Sequence, residues 1–237
     1  MTTALVIFAS IAPALWLLFT IYYKDRAQPE PAKWLLKAFF FGILSAFLSL
    51  LISIPTGVLL DLNNDTQIHS SIGESIADAF LLAAIPEELA KFIMLWLLLR
   101  KNPYFDEHFD GIVYAVCVGL GFAALENVYY LFGGIEDFSW ISIGVTRALI
   151  SVPVHYFFAI LMGYYYSIYH FGINRSLKTK VMILAAPILA HGIFDSILFS
   201  MQIDESLSGI IMILFIVFFI KLKKRAKTKI NELSNKL

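Results

Sequence analysis

Residues 81–100 read LLAAIPEELAKFIMLWLLLR, an apolar run broken by two adjacent carboxylates, Glu87 and Glu88, and an amine, Lys91. Three further apolar stretches carry polar groups: Glu126 with Asn127 beside it, then His155, then His191 and Asp195 in HGIFDSIL. A charged side chain at the centre of a bilayer-spanning helix costs about 2.5–3.5 kcal/mol on insertion scales, so such groups generally face a protein interior and do work there. Glutamate with two histidines suits activation of a water molecule: the carboxylate takes the proton, and imidazoles orient the water or donate to a developing oxyanion. The same residue types allow a second version. His155 and His191 with Glu87 or Glu88 could hold a divalent metal such as zinc, leaving the other glutamate as base. No H-E-x-x-H or H-x-x-E-H spacing is present to favour the zinc version. Both versions predict hydrolysis.

Spacing sharpens the picture. Glu87 and Lys91 are four residues apart and Glu88 and Lys91 three, so on a helix one carboxylate can pair with the ammonium. The two glutamates diverge by about 100°, which lets one be held by Lys91 while the other faces a cavity. His191 and Asp195, again four apart, share a face. Pro86 cannot continue the hydrogen-bond ladder and predicts a kink just before the glutamates.

The elements that must position these groups follow from composition. Of 237 residues, 59% are hydrophobic and only 15% charged, with a mean hydropathy of +0.76. That is an all-α polytopic membrane protein, and the zero net charge argues against nucleic acid as a partner. Apolar windows predict seven transmembrane helices near 4–22, 34–60, 76–100, 111–132, 141–169, 180–200 and 207–222. Lysine and arginine fall after helix one, after helix three, before helix six and after helix seven. The alternate loops hold Asp61, Asp65, Glu74, Glu136, Asp137, Asp204 and Glu205 and no lysine or arginine. This asymmetry predicts the N-terminus outside and the C-terminus in the cytoplasm. The chain reads as one transmembrane domain over 1–222 with a basic cytoplasmic tail over 223–237, the tail a topology signal on a solvated helix end.

Rise per residue places the polar groups in depth. Counted from the cytoplasmic ends, Glu87, Glu126, His155 and Asp195 come out about 20–22 Å deep and His191 about 16 Å. Successive helices run in opposite directions, so this agreement predicts a single buried site. Plainer roles are expected for the remaining candidates. Arg147 reads as an interfacial anchor able to pair with Glu126; His69, His108 and His170 read as solvated; Gly119, Gly121 and Gly163 permit close helix packing; Cys117 is a small packing residue.

Four segments, PEELAK at 86–91, GFAALENVYY at 121–130, VPVHYFFAILMGYY at 152–165 and HGIFDS at 191–196, resemble the PrsW family of intramembrane proteases over a core of about 76–200. More distantly they are similar to the type II CAAX prenyl endopeptidases, whose longer E-E-x-x-x-R differs from the E-E-x-x-K here. The resemblance implies an endopeptidase of the bacterial cytoplasmic membrane acting on a membrane-anchored protein, as the family's founding member acts on an anti-sigma factor. It implies that Glu87 and Glu88 include the base and that His155 and His191 complete the site with Asp195 supporting His191. Lys91, Glu126 and Asn127 read as supporting residues. Metal-dependent and metal-free mechanisms are both described for such enzymes. Two other classes compete: a proton-coupled carrier, which would show inverted repeats that are not visible here, and a non-catalytic transmembrane scaffold.

Overall fold

The computed structural model describes residues 2–26, 28–60, 62, 71–133, 139–201, 203 and 208–234. His69, Asp61, Asp65, Glu136, Asp137, Asp204, Glu205 and Lys236 lie outside the described residues. The chain forms helices α1 (Thr2–Lys24), α2 (Ala32–Leu59), α3 (Ile72–Asp78), α4 (Ile85–Leu99), α5 (Asp110–Gly133), α6 (Trp140–Thr146), α7 (Val152–His170), α8 (Leu177–Ser200) and α9 (Ser208–Ser234). A π-helical turn, Ala79–Ala84, joins α3 to α4, and another, Arg147–Ser151, joins α6 to α7, so the described residues make seven helical rods. No strand occurs among them.

The expected kink at Pro86 takes the form of the first π turn. Proline has no N–H to donate and its ring crowds the carbonyl four residues back, and a locally widened helix relieves both conflicts. Pro153 follows the second π turn with the same offset, two residues beyond its end. Ser71 caps α3, accepting from Glu74 N at 3.2 Å, and Ser176 caps α8, accepting from Thr179 N at 3.2 Å.

Five rods are long and apolar enough to cross a membrane: Thr3–Lys24, Ala32–Leu59, Asp110–Gly133, Trp140–His170 and Leu177–Ser200. The other two expected spans are also helical but bear charge. The third carries Glu87, Glu88 and Lys91 and starts at Ile72, and the seventh continues beyond residue 222 to Ser234. That extension is not simply solvated, because Leu222, Ala226, Ile230 and Leu233 are buried along one face.

Helix α5 is the central post. Every residue from Asp110 to Ala124 is buried, and α1, α2 and α7 pack around it. Small residues allow that proximity. A Cβ on Gly121 would strike the Phe39 carbonyl of α2, one on Gly42 would strike the Val118 carbonyl of α5, and one on Gly163 the Gly111 carbonyl. Gly119 faces the Ala159 methyl of α7 in the same manner.

The basic end of the bundle is tied together across its loops. Tyr114 donates to Glu30, Phe105 packs on Phe171 at 5.0 Å, and Lys229 lies over the Tyr164 ring at 4.2 Å. His170 and His108 belong to this aromatic seam, 4.7 Å from Phe105 and 4.9 Å from Phe171 respectively. Asp25 and Glu30 are both buried there, and Asp25 accepts from Glu30 N at 3.3 Å. Loss of water, with neighbouring carboxylates adding repulsion, pushes each of these two acids up to about 7.

Candidate active site

The four rods that carry polar groups bring them to one place, as the depth count predicts. Lys91 is the hub. Its Nζ donates to Glu88 Oε1 at 2.8 Å and Glu87 Oε2 at 3.3 Å, lies 3.3 Å from His155 Nδ1, and sits 3.9 Å above the Phe122 ring. From α8, His191 brings Nδ1 to 2.9 Å from Glu88 Oε1 and Nε2 to 3.0 Å from Asp195 Oδ2. His191 Nε2 is also 3.8 Å from Glu87 Oε2. Phe158 stacks on the imidazole at 4.8 Å, and Gly192 beside it leaves room for the Phe80 ring.

The adjacent glutamates part company as the 100° rule requires. Glu88 is wholly enclosed, whereas the Glu87 side chain keeps 17% of its surface exposed, toward a cavity. That cavity, of about 370 Å³, is lined by Glu87, Glu126, Arg147, His155, His191 and Asp195, and also by Leu50 and Ser53 of α2 and Leu198 and Phe199 of α8. These α2 and α8 residues lie toward the helix ends remote from the basic loops, in the half of the bundle that the charge asymmetry places outside.

Glu126 contributes from α5. Its Oε2 is 2.8 Å from His155 Nε2 and 2.8 Å from Arg147 Nη2. The Arg147 contact is off the axis of a good hydrogen bond, leaving Nη2 an ionic neighbour with donor capacity to spare. Asn127 does not line the cavity. It bridges instead, donating to Ser10 O of α1 at 3.1 Å and accepting from Arg147 Nε at 2.6 Å. Tyr130 completes the seat, its ring 4.1 Å beneath the Arg147 guanidinium.

Arg147 therefore lies in the cavity wall and not at the interface as a plain anchor; its pairing with Glu126 is the part of the expectation that the structure bears out. The available signal is that it and Lys91 are the two basic residues left over once the lysines and arginines of the loops and helix ends are assigned to the basic side. Ser53, Ser151 and Tyr130 also line the cavity, and nothing in their type or spacing singled out the two serines.

A metal ion does not fit these donors as they are arranged. Both nitrogens of His191 face carboxylates, both nitrogens of His155 face Lys91 and Glu126, and the Lys91 ammonium already occupies the space between the glutamates. Among the described residues no three histidine, cysteine, aspartate or glutamate side chains form a ready ligand set.

The sequence has counterparts among known proteins. A family model described as PrsW family intramembrane metalloprotease matches residues 30–222. The chain is similar to Protease PrsW of Clostridioides difficile, 36% identical over 90% of this chain and 86% of the relative. Protease PrsW of Bacillus subtilis is 35% identical over 81% of this chain and 82% of that protein, and Protease PrsW of Oceanobacillus iheyensis 34% identical over 91% and 94%. No solved structure matches. With the motif-bearing helices inside the matched region and their side chains gathered at one cavity, the chain belongs to the PrsW family of intramembrane proteases.

Proposed function

We propose that the protein cleaves a membrane-anchored protein substrate near the outer half of the cytoplasmic membrane, using Glu87 as the base that activates water. The observation carrying this reading is the division of labour between the two glutamates: Glu87 faces the cavity, while Glu88 is spent on Lys91 and His191. Charge balance supports it. His191 needs a proton on each nitrogen to satisfy Glu88 and Asp195, so Lys91, Arg147 and that imidazolium oppose four carboxylates. One negative charge is left over, available on Glu87 to take a proton.

In the proposed reaction Glu87 removes a proton from water and the resulting hydroxide adds to the scissile carbonyl carbon. Charge gathers on the carbonyl oxygen, where Arg147 Nη2 in the cavity wall provides a cationic donor and the His191 imidazolium a nearby positive charge. Collapse breaks the C–N bond as Glu87 returns its proton to the leaving nitrogen, giving a carboxylate and an amine. Asp195 holds His191, and Glu126 with Asn127 holds Arg147 and His155. No step calls on a metal, because the donors that would bind one are engaged with each other.

The test compares membranes from cells producing the wild type or Glu87→Gln, mapping new protein N-termini by mass spectrometry, with and without a chelator during incubation. New termini at the outer ends of single-pass segments should appear only with the wild type and should survive chelation. Equal cleavage by Glu87→Gln would overturn the role of Glu87, and loss on chelation would overturn the metal-free mechanism.

A further inference from the structure

A second cavity, of about 600 Å³, lies between α4, α7 and α8 at the basic end of the bundle. Its walls are Phe92 and Trp96 of α4, Tyr166 and Tyr169 of α7, and Ile183 and Leu184 of α8; its rim is His170, Arg175 and Lys180. No acidic side chain lines it. Lys180 precedes His191 by eleven residues and Trp96 follows Glu87 by nine, so the groove lies about 13–16 Å from the hydrolytic cavity along the same two helices. That places its rim at headgroup depth on the cytoplasmic side, where aromatic and basic residues meet the membrane surface.

We propose that this groove binds one anionic phospholipid, its phosphate at Arg175 and Lys180 and an acyl chain against Phe92, Ile183 and Leu184. Three observations argue for a lipid. First, neither Arg175 nor Lys180 has a carboxylate partner among the described residues. Second, Arg175 is pre-set: its Nη2 donates to His170 O at 3.2 Å, which orients the guanidinium at the rim and leaves four N–H donors for another acceptor. Third, the walls below the cations are aromatic and aliphatic, with Trp96 43% exposed, a surface suited to an acyl chain and ill suited to a free anion. Arg100, stacked on Trp96 at 4.8 Å, adds a further positive charge at the same level. Basic pockets between helices on the cytoplasmic side hold anionic headgroups by this combination of charge and depth.

Trp96 supplies a local reporter. The full-length protein is placed in phosphatidylcholine nanodiscs with graded brominated phosphatidylglycerol or brominated phosphatidylcholine, and quenching is taken as the difference between wild type and Trp96→Phe. The brominated anionic lipid should quench Trp96 several-fold more strongly, about fivefold per cation engaged, and high salt should weaken the preference. Arg175→Gln/Lys180→Gln, with unchanged helical circular dichroism, should bring the two lipids level. Equal quenching in the wild type, or a preference that survives in the double variant, overturns the proposal. So does displacement by inorganic phosphate or by a soluble acidic peptide at the lipid's own concentration, which would make the groove a reader of free anions or of peptide tails.

Discussion

Lys91 Nζ stands 3.3 Å from His155 Nδ1 while Glu126 Oε2 stands 2.8 Å from His155 Nε2. An ammonium has only protons to offer, so Nδ1 must present its lone pair and the ring hydrogen belongs on Nε2, pointing at Glu126. Lys91 thereby fixes the tautomer of an imidazole on another helix. Lys91→Met should abolish cleavage and destabilise the fold by about 3–5 kcal/mol, since it leaves buried carboxylates uncompensated. Thermal unfolding in detergent, read alongside cleavage, checks both. Lys91→Arg should not rescue, because a planar fork cannot reproduce three convergent contacts.

Glu87→Gln and Glu88→Gln should fail in different ways. Removing the proposed base, Glu87, should lower the cleavage rate by about 10²–10⁴-fold with little change in melting temperature. Replacing Glu88 strips Lys91 and His191 of a shared, wholly buried partner, so loss of activity should come with a clear loss of stability. Identical melting curves for the two variants would contradict the assignment.

Arg147→Gln should lower kcat by about 10²–10³-fold while leaving KM nearly unchanged, as removal of an oxyanion donor does. Arg147→Lys keeps the charge but loses the bond to Asn127, and should retain intermediate activity. A parallel rise in KM would point to substrate binding instead.

Gly121→Ala should destabilise the bundle by at least about 1–3 kcal/mol, because the added methyl meets the backbone of α2 with no side chain able to yield. Gly133→Ala is the control: nothing lies within 4 Å of its added Cβ. Melting temperatures of the two variants should separate clearly.

Asp25 has a folded-state pKa of about 7 against an ordinary 3.8. Between those values the folded protein binds more protons than the unfolded chain, so the stability linked to this group is full below about pH 4 and drains away as pH climbs through 7. Asp25→Asn should flatten the decline in stability between pH 5 and 7.5 and be the more stable form at the upper end. Denaturation midpoints across that range provide the measurement.

Much of the site could be read before the fold. Intramembrane charge is expensive enough that Glu87, Glu88, Lys91, Glu126, His155, His191 and Asp195 stand out by type alone, and helical rise brings them level. Which glutamate faces the cavity could not be read, because both are within reach of Lys91 at helical spacing. The choice depends on where α8 delivers His191, a tertiary fact. Arg147 was ambiguous for a related reason: near a predicted helix end, anchoring and catalysis demand the same residue type. The buried face of α9 beyond Leu222 hides behind a lysine-rich composition that also serves the charge rule.

The paired π turns carry a consequence for how this machinery tolerates change. Each widened segment holds a surplus residue relative to an ordinary α ladder, and each lies just upstream of a proline and then a cavity-lining side chain, Glu87 in one case and His155 in the other. Excising a single alanine from 79–84 would let the ladder close up and swing everything downstream by about 100° around its axis. Glu87 would leave the cavity with every other original side chain still present and the span still long enough for the bilayer. Insertions and deletions there, more than substitutions, are the changes that lineages keeping this hydrolytic chemistry should avoid.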